Sequence, residues 1–289
     1  MKSVKLHAGM MLFLLALLAA PAFSKEVTCT PADSGLIYSL FKAPPAHRFI
    51  SIGARKYGIC FGNSPRYSGI RLNLLDREVE YVNGLQFNLF NTNANTSNGI
   101  EMAVLMSRTK KQNGLSIGLL YNYGEVRNGI ALSFIGNGID QMNGLSLGIL
   151  ADSHEQVNGF TTGLIAIGSK RINGAAISFQ VNSNQINGMA FSVVQFSDTL
   201  RGAFFSFGIF PVNEPSQLSG MALSGFVFYM NNVKGVTVST FNISDKHIGL
   251  AAGLINYTKK LHGVQIGLLN YAGNNPKGFK YLPFINMHF

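Results

Sequence analysis

Asn-Gly recurs along this chain with a constancy that few architectures can use. The pairs Asn83-Gly84, Asn98-Gly99, Asn113-Gly114, Asn128-Gly129, Asn143-Gly144, Asn158-Gly159 and Asn173-Gly174 step by fifteen residues, and Asn187-Gly188 follows after fourteen. Gly69 precedes the series by fifteen with Ser68 in the Asn place. Gly202, Gly220, Gly235, Gly249, Gly263 and Gly278 continue it at steps of 14, 18, 15, 14, 14 and 15. Self-similarity at a fixed period marks a repeat architecture. Positions one, three and five after the glycine are large and apolar, as in Leu115, Ile117 and Leu119 or Ile130, Leu132 and Phe134. Positions two and four are small or mildly polar, as in Ser116 and Gly118. Alternation with a period of two describes strands with one buried face, and places the large residues inside. Position six is apolar again, as is often the residue two before the glycine (Met142, Val157, Ile172, Ile186).

Asn-Gly between alternating apolar residues is a strong hairpin signal, because both residues tolerate positive φ. Hairpins reverse direction at every turn, however, so equivalent positions would not lie side by side. Here length is kept even through the polar connectors, which parallel stacking of like on like rewards. The expected fold is all-β: a parallel β-solenoid of ~15-residue coils about 4.8 Å apart, with Asn forming a column at one corner and Gly beside it left-handed. The corner would let both Val157 and Phe160 point inward. About five inward apolar residues per coil, each worth ~1.5 to 3 kcal/mol, would offset the ordering entropy. The alternative is an outer-membrane barrel of ~16 antiparallel strands, counting the fifteen glycine units and FISIGARK (49–56). Nearly charge-free strands and the alternating end YLPFINMHF support it. A spanning strand needs about 9 to 11 residues, and three large residues per unit bounded by Asn fall short, so the solenoid is preferred.

The segment 1–24 reads as a secretory signal peptide: Lys2 and Lys5, an apolar run from Ala8 to Ala20, then small residues suited to cleavage. The run is too short for a spanning helix. Residues 25–68 fit the repeat poorly and read as an N-terminal cap, with a short helix in Ser34 to Lys42 and a strand in FISIGARK covering an otherwise open edge. Residues 69–289 form the repeat domain. In an oxidising compartment Cys29 and Cys60 are the pair available for a bridge, worth ~3 kcal/mol if geometry allows. The formal charge is +10, of which Lys2 and Lys5 leave with the leader. A basic exported chain points to an anionic envelope polymer or the outer membrane as partner. No zinc-finger spacing or RNA-binding signature points to nucleic acid.

With these residues in view, the chain resembles the bacterial envelope proteins called surface-repeat proteins, whose units read Gly-Leu-Gln-Ile-Gly-Leu-Ile-Asn and whose chains end in a Pro-Leu-Ile-Asn-like segment closing on Phe. The matching stretches are GVQIGLLN (263–270), GLAAGLIN (249–256), GLSIGLL (114–120) and PFINMHF (283–289). The resemblance covers about Gly69 to Phe289 and implies a surface location without an assigned activity. A weaker likeness is to the left-handed parallel rolls in the heads of trimeric autotransporter adhesins, with their Asn-Ser-Val-Ala-Ile-Gly motif. This chain lacks that family's stalk and anchor, so adhesin function does not follow.

Chemistry-bearing residues look scattered. The six histidines (His7, His47, His154, His247, His262, His288) show no metal-ligand spacing and read as solvated. Asp76, Glu78, Glu80, Glu125, Asp140, Asp152, Glu155 and Asp198 fall in connectors. A polysaccharide-cleaving β-helix would need paired carboxylates on a strand face. No catalytic, cofactor or metal site is expected. Lys110 would stack beside Glu125, and Glu155 beside Lys170, in exposed pairs worth ~0 to 1 kcal/mol. Arg108, Lys110, Lys111, Lys170, Arg171, Lys259 and Lys260 are the candidate contacts to a polyanion. GAFFSFGIF (202–210) reads most simply as a ring stack in the core, although Phe204 falls at an outward offset, where it would mark a sticky patch or a lipid contact. The eighteen-residue unit with Pro211 and Pro215 is expected to bulge as a surface loop. The functional expectation is a non-enzymatic cell-envelope surface-repeat protein, outer-membrane, surface-exposed or periplasmic, acting as scaffold or binding surface. The alternative is a passive pore.

Overall fold

The structure, a computed structural model, describes residues 48–289 apart from 55 and 56. The signal peptide, the Ser34–Lys42 segment, Cys29, His7 and His47 lie outside the described residues. Eleven strands follow in order: β1 (Phe49–Ala54), β2 (Tyr57–Gly62), β3 (Arg66–Leu75), β4 (Val79–Ala103), β5 (Met106–Gly118), β6 (Tyr121–Ser133), β7 (Gly136–Gly148), β8 (Ala151–Phe210), β9 (Gln217–Ala252), β10 (Ile255–Ala272) and β11 (Tyr281–His288). From β2 to β10 the pairing is parallel, with glycine beside glycine: Gly58 by Gly69, Gly69 by Gly84, Gly99 by Gly114, Gly249 by Gly263. The chain is a parallel β-solenoid of about 14 turns, not a barrel.

The corner works as the repeat requires. Each corner glycine from Gly69 to Gly263 has positive φ, and a Cβ there would meet the carbonyl oxygen of the glycine one coil earlier at about 2 Å. The adjoining asparagines form a continuous column in which each Nδ2 donates to the Oδ1 of the preceding coil, from Asn98 to Asn83 (2.8 Å) through to Asn187 to Asn173 (2.8 Å). Beyond Asn187 the corner carries Arg201, Ser219, Lys234, Ile248 and His262. Gly278 falls in a 3-10 turn (Lys277–Phe279) and not in the column.

Among the described residues, the first and last strands are antiparallel to their neighbours. β1 pairs with β2, Ser51 opposite Cys60, and β11 pairs with β10, Ile285 opposite Ile266. A reversed last strand turns the stack edge away from the register that another parallel coil would continue. Within FISIGARK the strand covers Phe49–Ala54. Parallel pairing begins at Tyr57, before the regular fifteen-residue spacing does.

The faces are the reverse of the sequence expectation. Positions two and four after the glycine point inward: Ser116, Ala131, Ser146, Thr161, Ala176 and Ala190 are buried. Positions one, three, five and six point out: Ile130 is 41% exposed, Leu119 54%, Phe134 53% and Leu164 68%. Steric room explains the inversion. A Cβ on Gly118 would sit 2.4 Å from the Tyr121 carbonyl oxygen, and one on Gly148 would sit 2.0 Å from Asp152 Oδ1. At offset four the coil leaves no room for a large side chain, whereas offset two takes groups from Ser116 up to Phe204 and Arg71. Apart from Phe204, the large apolar side chains of the lumen come from the sheet before the corner, among them Ile139, Met142, Val157, Ile172 and Ile186, all buried. Phe204 is buried, as the core reading of its segment has it and against the sticky-patch alternative, and Phe160 is only half-buried beside the fully buried Val157, correcting its expected inward place.

Candidate functional site

Two features hold chemistry in this fold, the polar interior and the outward apolar face. The interior is charged toward the N-terminal end. Arg71 pairs with Asp76 at 2.7 Å with both side chains fully buried. Glu101 accepts from the hydroxyls of Thr92, Ser107 and Thr109, and Arg127 lies 3.8 Å away while donating to Ser107 Oγ (2.9 Å) and the Tyr123 carbonyl (3.0 Å). Burial raises the Asp76 carboxyl above its usual range against the pull of Arg71. Burial also draws the Arg127 guanidinium below its ordinary value, with Glu101 opposing. Asp76 and Asp152 were expected in solvated connectors. Both are lumen groups, because offset eight or so after the glycine points inward.

Further along, Asp152 accepts from Ser146 Oγ (2.6 Å) and Thr161 Oγ1 (3.1 Å), and His154 Nε2 lies 3.6 Å from its carboxylate. Hydroxyl, imidazole and carboxylate are thus close together, in the combination that acyl-transfer enzymes use. All are buried in the lumen. A second asparagine ladder runs inside: Asn122 donates to Asn137 (2.8 Å) and Asn137 to Asp152 (2.9 Å). A third joins Asn242, Asn256 and Asn270. Their fifteen- and fourteen-residue spacings were available in the sequence as a signal.

His154 and His247 are buried, contrary to the expectation of solvated histidines. Burial lowers the His247 pKa to about 4. A histidine held neutral supports the fold above its unfolded value near 6.5, and that support is lost as pH falls from about 6.5 to about 4. The expected result is ~3 kcal/mol of stability lost between pH 7 and pH 4 through this residue. His247→Asn should flatten that part of the pH–stability profile, measured by urea unfolding at each pH.

The candidate polyanion contacts are all exposed on the sheet before the corner. Lys170 pairs with Glu155 at 2.5 Å and Lys259 with Asp245 at 2.6 Å, while no salt bridge joins Lys110 to Glu125. They form three groups, at 108–111, 170–171 and 259–260. At about 4.8 Å per coil, these lie roughly 19 and 29 Å apart along the axis. The eighteen-residue unit does bulge: Val212 N and Asn213 N donate to Asp198 Oδ1, holding an exposed loop.

The largest unaccounted surface is the apolar face. Offsets one, three, five and six after each glycine from Gly69 to Gly263 carry no charged residue, and Thr162, Gln180 and Thr240 are its polar members. A shallow groove lined by Gly69, Ile70, Gly84, Leu85, Gly99 and Ile100 follows the corner along its margin. Rings stack along the face, the exposed Phe191 on the half-buried Phe205 at 4.7 Å and the exposed Phe207 on the half-buried Phe226 at 5.7 Å. With about 14 turns and six residues across, the strip is roughly 65 Å by 20 Å. That exceeds the few hundred Å² usual for the largest apolar patch of a monomer. Sequence reasoning saw these residues and assigned them to the core. No protein-family model matches this chain, and no curated protein or solved structure matches it significantly.

Proposed function

We propose that this is a non-enzymatic protein of the bacterial cell envelope, a rigid scaffold whose outward apolar face is its binding surface. The observation that carries the reading is the unbroken column pattern. Every coil keeps large apolar groups at the outward offsets even though water contact there gives the isolated chain no stability. The buried lumen supports a non-catalytic role, since Asp152 is engaged with His154 and two hydroxyls, and Glu101 with Arg127 and three hydroxyls. The signal-peptide-like leader supports an envelope location.

The test is retention. With its own leader in a Gram-negative host, the wild-type chain is expected in the envelope fraction. The triple variant Ile130→Lys, Ile149→Lys, Leu164→Lys, spread over three neighbouring coils, should move into the soluble fraction with its β-structure intact. A folded triple variant that stays with the envelope as firmly as wild type would contradict the reading.

A further inference from the structure

We propose that the partner of the apolar face is a lipid bilayer surface, on which the solenoid lies flat with its axis in the membrane plane. This rests on the reading of that face as the binding surface and names what it binds. The first argument is backbone satisfaction. Hydrocarbon excludes any backbone with unpaired N–H or C=O groups, and here even the turns beside the face are paired from coil to coil. Leu119 N donates to the Ala103 carbonyl, Phe134 N to Leu119, Ile149 N to Ser133 and Leu164 N to Ile149. A parallel solenoid can thus lower one side into acyl chains without exposing a polar backbone group along its length.

The second argument is that apolarity is kept along the face while size is not. The column one residue after the glycine reads Leu145, Phe160, Ala175, Met189, Ala203. A protein partner, including a second copy, needs complementary relief at close packing, and an irregular column supplies none that repeats. Fluid acyl chains fit any apolar contour. The strip is large enough for an obligate dimer, so its area alone does not choose between the two.

The rim gives the third argument. At the corner edge Arg201 and Lys234 replace asparagine and are exposed, placed to reach anionic headgroups. Phosphate-bearing anionic lipid is therefore the favoured surface.

The chain contains no tryptophan, so one introduced indole reports one position. The mature protein carrying Leu164→Trp on the face, or Ser153→Trp on the opposite sheet, would be mixed in mild detergent with phosphatidylcholine vesicles, with and without phosphatidylglycerol. Detergent is then removed and the vesicles floated. The expected result is co-flotation that is greater with phosphatidylglycerol. Leu164→Trp emission should shift to the blue and be quenched by brominated acyl chains, and Ser153→Trp should do neither. Adding Ile130→Lys and Ile149→Lys should lower the partition coefficient at least ~100-fold. Recovery as a discrete oligomer whose Leu164→Trp is blue-shifted yet unquenched by brominated lipid overturns the proposal in favour of a second copy. Equal quenching of both indoles overturns the flat orientation. If the charged variants leave the envelope in cells while purified wild type ignores both vesicle types, the scaffold reading stands and the lipid partner is wrong.

Discussion

Gly144→Ala should abolish folding of the repeat, with a loss exceeding about 4 kcal/mol. Gly144 has φ +133°, a conformation that L side chains avoid, and its Cβ would lie 2.1 Å from the Gly129 carbonyl oxygen. Neither problem can relax locally. The obstructing atom belongs to backbone one coil away, and moving it breaks the register that Asn143 and Asn128 hold at 2.8 Å. Stability in such stacks is a sum of nearest-neighbour interfaces, so a wedge in the middle separates the two flanking arrays. Gly278→Ala is the matched control. Nothing lies within 4 Å of a Cβ there, and its change should stay within ~0.5 kcal/mol. Circular dichroism during urea unfolding reads both.

Arg127→Ala should cost about 3 to 5 kcal/mol, because it leaves Glu101 charged and buried without its cation. The Glu101 carboxylate would keep its three hydroxyl donors, which stabilise the anion in part without replacing the lost cation. Replacing the pair together, Arg127→Met with Glu101→Met, should recover most of that loss, since an apolar pair avoids the desolvation both ions suffer. The same unfolding titration on the two single variants and the double variant gives the coupling. A double variant as unstable as the worse single one would mean that the hydroxyl network around Glu101, and not the ion pair, holds these coils together.

Much of this fold was legible from spacing. The fifteen-residue step of Asn143-Gly144 and its neighbours implied like over like, and the asparagine column and glycine stack follow from that. Which face was inside was not legible, because alternation states that two faces differ and says nothing about the width between sheets. Leu147 and Ser146 look like core and surface until the lumen is known to leave no space at Gly148. Glycine or a small residue at offset four was the available clue, since a solvent-facing column has no steric need for it. The candidate site was hidden by the same error. Ile130, Ile149 and Leu164 were counted as filling, so no binding face remained to be noticed. Asp152 and His154 escaped for the opposite reason, since polar residues in a connector default to solvent when the connector is itself a strand of the coil.

The central claim is that offsets two and eight after the glycine meet across the lumen while offsets three and nine face away from each other. Paired cysteines test it directly. Ser116 Oγ lies 3.2 Å from Asn122 Oδ1, so Ser116→Cys with Asn122→Cys, in a chain with Cys29 and Cys60 replaced by serine, should close an intramolecular disulfide under mild oxidation, read by mass spectrometry. Ile117→Cys with Tyr123→Cys should stay reduced. Closure of the second pair and not the first would place leucine and isoleucine back inside the coil and remove the face on which the functional account stands.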